Sequence, residues 1–371
     1  MSDLAESSAL SLSTPQLPVS WYFDPGIYDL ELKHLFRYGP GYVGHQLMAP
    51  EAGDYHALEV FDGARMLVNN GRAVEVLTNV CRHRQAIMLR GRGKLTGNSN
   101  IVCPIHRWTY DSSGTLLGAP EFPGNPCLNL NRTGLQTWQG LLFAGGRDVN
   151  ADLAGMQAAR ALDFSGFVLD RVDVTHYACN WKTFIEVYLE DYHVAPAHPG
   201  LGHFVTCDDL KWEYGDWWSV QTVGVNRGLA KAGSPVYGKW QEQLLAYRQG
   251  HVPEHGSIWL TYYPGLMVEW YPHVLVVSSI IPTAIESCMN VVEFYYPEDI
   301  MLFERAFIEA EQAAYLETAL EDEDICLRMH EGRRALYKQG ISETGPYQSP
   351  LEDGMMHFHA FLRREIEPHL K

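Results

Sequence analysis

A chain of 371 residues, 46% of them hydrophobic, can bury two or three cores and is not a disordered segment. Its formal net charge of −17 argues against a nucleic-acid or anionic-membrane surface as partner, because both select basic patches. Seven cysteines, an odd count in a long chain, argue against a disulfide scaffold and for metal binding.

Residues 1–20 read as a loose tail. Its start, MSDLAESSALSLSTPQLP, is acidic and lacks the basic n-region and apolar core of a signal peptide. No apolar run reaches the roughly 20 residues of a membrane helix, so the expected compartment is the cytoplasm. YDLELKHLFRYG carries a helical pattern. From Tyr42 to Gly146, short runs such as HALEVFDG, RMLVNNG, AVEVLTNV and LLFAGG are broken by Gly, Asn and Pro, the spacing of an all-β module. Residues 151–165 return to a helical pattern. Residues 166–300 mix strands, VLVVSSIIP and MNVVEFYYP among them, with a helix from about Trp181. One or two long helices are predicted from MLFERAFIEAEQAAYLETALEDEDICLRMHEGRRALY. The expectation is an α+β chain: a small β domain, residues 41–150, inserted near the start of a larger domain, residues 151–371, on which residues 1–40 pack. GPGYVG, with Gly39, Gly41 and Gly44, matches a dinucleotide fingerprint by letter. It lacks the strand before and helix after that the fingerprint requires, so no nucleotide site is expected there.

The β module carries CRHR at Cys81–Arg84 and CPIHRW at Cys103–Trp108. Each half offers one thiolate and one imidazole: Cys81 with His83, Cys103 with His106. That donor set suits a Rieske [2Fe–2S] cluster, in which two Cys hold one iron and two His the other. Neutral imidazoles in place of two thiolates remove negative charge and raise the potential. Pro104 stiffens the second loop, and Trp108 is placed to shield a cluster from water. A structural zinc site and scattered core cysteines are the bland alternatives.

With these halves and a downstream NWKTFIEVYLEDYHVAPAH starting at Asn180, the chain resembles the oxygenase (α) component of Rieske non-heme iron oxygenases from about residue 35 to the C-terminus. The resemblance implies a β Rieske domain inserted in a helix-grip, START-like catalytic domain with an antiparallel sheet. Two positions depart from the family pattern: Gln85 and Arg107 stand where glycines are usual, and the gap between the halves is slightly long.

On an uninterrupted helix Glu186, Glu190 and His193 share one face. Pro196 disfavours helical geometry at Ala195, so the chain can turn after His193 and bring His198 back toward it. Two imidazoles and one carboxylate make a facial triad with open positions for O2. The family takes that carboxylate from a late helix. In LEDEDICLRMHEG the resemblance aligns Asp322 with it, with Asp324 the fallback, although four acidic residues in a row are by themselves an ordinary solvated face. Glu190 matches the family's bridging carboxylate, between an iron histidine and a cluster histidine of a neighbouring subunit; a Glu here resembles the branch that includes quaternary-ammonium monooxygenases. Asp191 is expected to point away, Tyr192 to pack, and His203, His255 and His273 to be ordinary histidines.

The resemblance further implies mononuclear Fe(II), O2 as co-substrate, hydroxylation or oxidative demethylation of a small molecule, and a head-to-tail homotrimer. No flavin, nicotinamide or plant-type ferredoxin motif is present, so electrons are expected from a separate NAD(P)H-dependent reductase, with or without a ferredoxin. Arg82, Arg84, Arg90, Arg92 and Arg107 could attract an acidic carrier, or be plain surface arginines. In TYYPGLMVEWYPHVLVV, residues 261–277, Tyr262, Tyr263, Trp270 and Tyr271 are candidates to line a pocket and, with Glu269, to cage a methylated ammonium; strand core packing is the alternative for each. A non-catalytic zinc protein and a cluster-only electron carrier are the competing functions.

Overall fold

The computed structural model describes residues 15–370. It divides into two compact units: Pro40–Ala151, and the described residues before Pro40 together with those from Asp152 on. The expectation for residues 1–14 lies outside the described residues. Residues 15–20 are not loose, since Leu17 and Val19 are buried.

The first unit is all β. A five-stranded antiparallel sheet, with Arg65–Asn69 at its centre, packs beside two three-stranded sheets. Met66, Val68, Leu77, Ile101, Trp108 and Tyr110 fill its core, where each fully buried large side chain contributes about 1.5–3 kcal/mol. GPGYVG runs into a strand, Tyr42–His45, not a phosphate-binding helix. Gly41 has φ +64, and a Cβ there would lie 2.7 Å from the Gly145 nitrogen, so the glycine serves a close backbone approach.

The second unit is α+β, built on a seven-stranded antiparallel sheet. Its strands are β1 (Phe167–Tyr177), β2 (Val205–Gly215), β3 (Trp218–Val225), β4 (Ser257–Tyr262), β5 (Leu266–Tyr271), β6 (Val274–Ala284) and β7 (Ser287–Pro297). β1 and β2 are the two edges. From β2 the chain returns by successive antiparallel neighbours to β7, which pairs with β1. Val274 to Val277 are fully buried, so β6 reads as a continuous apolar run in the middle of the sheet.

Five of its helices are α1 (Trp181–Tyr188), α2 (Val194–Ala197), α3 (Pro235–Tyr247), α4 (Arg305–Lys338) and α5 (Asp353–Ile366). Phe307, Ile308 and Ala314 of α4 join Val276, Phe294 and Tyr296 of the sheet and Trp240 of α3 in one core. The helix expected over residues 151–165 is reduced to single turns, Val149–Asp152 and Ala158–Arg160. Gly155, at φ +83, breaks the run between them.

The Asn-Trp-Lys triplet fixes α1. Asn180 caps it, its side chain accepting the Lys182 N–H at 3.0 Å. Lys182 Nζ meets Glu31 at 2.7 and 2.9 Å, and Trp181 donates to the same carboxylate at 2.9 Å. Lys182 and Glu31 are fully buried, so losing either partner leaves an unpaired interior charge, a cost of about 3–5 kcal/mol. This pair ties α1 to the helix Pro25–Glu31. Among the described residues no helix is long and apolar enough to cross a membrane.

Candidate cluster and metal centres

The two cysteine loops share one frame. The Cys81 N–H donates to Ala86 O at 2.9 Å and the Cys103 N–H to Trp108 O at 2.8 Å. The Gln85 and Arg107 N–H groups return to the Cys81 and Cys103 carbonyls, both at 3.1 Å. Both residues are left-handed, at φ 53 and 59, which is why glycine is the unstrained choice there. Their side chains are tolerated because both point into solvent.

Both loops hold their cysteine inward and their histidine outward. Cys81 and Cys103 are 1% and 2% exposed, whereas His106 is exposed and His83 half-buried. The imidazole rings of His83 and His106 lie 4.6 Å apart. Trp108 is buried and stacks on His83 at 5.1 Å and 6°, covering that ring. Burial pushes the Cys103 thiol up, while the Ile105 and His106 N–H groups, which could serve a thiolate or bridging sulfide, draw it down. His83 Nδ1 is a buried ring nitrogen with no hydrogen-bond partner. Two inward thiols, two outward imidazoles and an orphan ring nitrogen fit a Rieske cluster.

The second centre forms where α1 ends. The helix stops at Tyr188, so Glu190 and His193 are not its continuation. Glu186 lies elsewhere, fully buried against Tyr22, Arg333 and His359. Burial pushes that carboxylate up, but Arg333 and His359 outweigh it and hold it at about 2. Pro196 does not keep Ala195 out of helical geometry as the sequence suggested: both sit in the one-turn α2, where the missing N–H of Pro196 costs nothing. The turn spanning His193 to His198 is what returns the second imidazole to the first.

His193 Nε2, His198 Nε2 and Asp322 Oδ1 converge. The two nitrogens are 3.0 Å apart, and they lie 3.4 and 3.1 Å from the carboxylate oxygen. A metal with bonds of about 2.1 Å to donors at right angles separates them by about 3 Å, so the trio fits one face of an octahedral ion. Among the described residues this is a group able to hold one metal ion. Each imidazole is oriented through its other nitrogen: His193 Nδ1 to Glu190 Oε1 at 2.5 Å, His198 Nδ1 to Glu321 Oε2 at 2.7 Å. Nδ1–H donation to a carboxylate leaves Nε2 as the metal-facing lone pair. Burial draws His193 down, yet Asp322 and Glu190 outweigh it and hold it up at about 10: the site attracts positive charge. Asp324 is not part of it; its exposed side chain pairs with Arg328 at 2.6 Å.

A cavity of about 100 Å³ opens on this trio, between the sheet and α4. Spacing along α4 sets one wall: Glu311, Tyr315, Thr318 and Asp322 recur every three or four residues and face inward. Strand alternation sets the other, with Trp259 on β4 and Met267, Glu269 and Tyr271 on β5. Trp270 therefore faces away, onto Phe164 and Phe167. Tyr262 and Tyr263 do not line the cavity either, bonding instead to Asp152 and to Ser219 and His357. Of the four aromatics read from the sequence, only Tyr271 lines the cavity, beside Glu269.

Asp191 corrects the sequence reading. It is 3% exposed and lines the cavity, because the helix on which its angle was reckoned has already ended. Burial, then Glu190, push it up to about 7. Glu321, Glu311, Gln221 and Asn290 went unread; for Glu311 the helical spacing back from Asp322 was an available signal. Tyr192 is 59% exposed and packs no core.

Residues 160–367 match the family model of the ring hydroxylating alpha subunit (catalytic domain), and residues 42–137 match the Rieske [2Fe-2S] domain. The chain is 59% identical to a putrescine 2-hydroxylase of Ralstonia nicotianae, over 99% of this chain and 100% of that protein. It is 53% identical to a putrescine 2-hydroxylase of Bordetella bronchiseptica, over 98% and 87%. The structure of the quaternary ammonium Rieske monooxygenase CntA with an inhibitor superposes with a TM-score of 0.73 at 19% identity, covering 95% of this chain and 96% of the other, a likeness of fold. The two matched domains carry a Rieske [2Fe–2S] cluster and a mononuclear iron. The chain belongs to the ring-hydroxylating α-subunit family: it is a Rieske terminal oxygenase that hydroxylates a small organic substrate with O2 and electrons supplied from outside the chain.

Proposed function

We propose that the substrate is a short primary diamine of the putrescine class. One observation carries the reading: the cavity presents buried acceptors that lack donors. Asp191 Oδ2, Gln221 Oε1 and Asn290 Oδ1 are buried, line the cavity and have no hydrogen-bond partner. Gln221 cannot be turned to fill the gap, since its Nε2 already donates to Tyr188 O at 3.1 Å. No Lys or Arg stands among the described lining residues, while five carboxylates do: Glu190, Asp191, Glu269, Glu311 and Asp322. A primary ammonium brings positive charge and three N–H donors. A trimethylammonium brings the charge alone and leaves those acceptors unsatisfied, at about 1–3 kcal/mol each. Similarity to two putrescine 2-hydroxylases supports the same choice.

In this reading His193, His198 and Asp322 hold the iron, and Cys81, His83, Cys103 and His106 hold the cluster. When bound, the iron activates O2 and the cluster passes it electrons one at a time. Glu190 and Glu321 keep both Nε2 atoms aimed at the metal by accepting hydrogen bonds from the Nδ1–H groups. Trp259, Tyr271 and Tyr315 exclude water and pack the methylene chain. One oxygen atom enters a C–H bond; the other leaves as water with two electrons and two protons. The electrons come from a separate NAD(P)H-dependent reductase, directly or through a ferredoxin. Exposed Arg84 and Arg107 beside the cluster loops suit an acidic carrier. The working assembly is a head-to-tail homotrimer in the cytoplasm, with Glu190 on the path between one chain's cluster and the next chain's iron.

The test is turnover of reconstituted enzyme with a reductase on putrescine, choline and carnitine. Hydroxylated putrescine, coupled to O2 uptake, is expected. Turnover of a quaternary ammonium with putrescine inert would overturn the reading.

A further inference from the structure

We infer that Glu269 is a specificity-determining residue that receives the substrate ammonium farther from the metal, while Asp191 receives the nearer one. This rests on the diamine reading above and adds to it a length and a polarity for the bound chain.

Asp191 stands two residues before His193, so it belongs to the metal end of the cavity. Its Oδ2 is buried and unpartnered. Glu269 belongs to the other end. Its carboxylate accepts from Tyr271 at 3.0 Å, Ser278 at 3.1 Å and Tyr315 at 3.2 Å. Three hydroxyls from three elements hold it rigidly, and none of them carries a charge to balance it.

Helix α4 supplies the ruler. Tyr315 precedes Asp322 by seven residues, about 10 Å along the axis. Glu269 is tied to this helix through the Tyr315 hydroxyl. In extended putrescine the far nitrogen lies three bonds, about 4 Å, beyond the second carbon. A hydrogen bond adds about 3 Å. A carboxylate held by the side chain two turns from Asp322 is therefore within reach of the far ammonium when the second carbon sits about 3 Å beyond Asp322 along the helix. Glu311 is a further turn out, about 6 Å along the helix, and takes its bond from Tyr296 at 2.5 Å. The buried hydroxyl of Tyr188, which has no partner, is raised by burial and then by Glu269, with Asp191 also contributing: it lies near both posts.

The experiment is a cycle of kcat/KM values: wild type and Glu269→Gln, each on putrescine and on n-butylamine, which keeps the four carbons and the near ammonium and carries hydrogen in place of the far one. If Glu269 binds the far ammonium, the substitution costs putrescine about 100-fold and butylamine little, the loss of a buried charge pair. Most of it should appear in KM, and the variant should hydroxylate at more than one carbon. Tyr315→Phe, which removes one bond to the carboxylate, gives an intermediate loss on putrescine alone and serves if Glu269→Gln does not fold. Equal losses on both amines, for Glu269→Gln or for Tyr315→Phe in its place, overturn the inference and leave the diamine reading standing. Failure of wild-type enzyme to hydroxylate any diamine overturns the reading and the inference together.

Discussion

Raising the pH from 6 to 8 should tighten diamine binding about tenfold through Glu269 alone. Burial pushes this carboxyl up to about 7, against the hydroxyls of Tyr271, Ser278 and Tyr315 that draw it down, and nearby Asp322 adds to the rise. Glu311 and Tyr188 also face it. Only the ionised form pairs with an ammonium. With a pKa near 7, about one-tenth is ionised at pH 6 and about nine-tenths at pH 8, and apparent affinity scales with that fraction. The amine stays charged throughout, since alkylammonium groups titrate near 10. The sign for stability is opposite. A carboxyl raised above its ordinary 4.5 binds a proton in the folded chain that the unfolded chain has released, so unliganded protein loses stability as pH rises from 4.5 through 7. Bound diamine restores it, and the thermal shift on adding putrescine should be larger at pH 8 than at pH 6. The assay is the dissociation constant of putrescine by calorimetry at pH 6, 7 and 8, for wild type and Glu269→Gln. Asp191 and Glu311 remain in both, so the difference in slope reports Glu269. Parallel slopes, or affinity that weakens with rising pH, would refute the reasoning.

Asp322→Ala should lose the mononuclear iron and all turnover while keeping the visible spectrum of the cluster; Asp324→Ala, which breaks only an exposed pair with Arg328, should retain both metals and activity. Glu321→Gln should weaken iron binding about 10–100-fold by loosening His198, read by metal analysis after dialysis. Glu190→Gln should keep both metals yet slow turnover, and single-turnover cluster oxidation should slow in step; an unchanged rate removes Glu190 from the mechanism. Gln85→Gly and Arg107→Gly each relieve a left-handed backbone and should stabilise the β unit by about 1 kcal/mol, measured as a higher thermal midpoint.

Local chemistry was the legible part. Two Cys–His loops announce a cluster because all four donors come from two short segments. Their common hydrogen-bond frame was not visible, since Ala86 and Trp108 carry no signal as backbone acceptors. His193, His198 and Asp322 do come together, but not by the route the sequence suggested. Periodicity extended α1 through Glu190, whereas the chain leaves the helix after Tyr188. That one error turned Asp191 outward when it lines the cavity. Strand alternation around Glu269 would have separated Tyr271 from Trp270, had the face been known. Gln221, Asn290 and Glu321 were beyond reach: each acquires its place from partners on other elements, and neither periodicity nor spacing marks them.

The most direct measurement is the fate of labelled O2. Reconstituted enzyme, given a reductase, NAD(P)H and putrescine under 18O2, should yield a hydroxylated diamine carrying one labelled oxygen, with one O2 consumed per product. Unlabelled putrescine recovered intact, while choline or carnitine gains the label, would contradict the account.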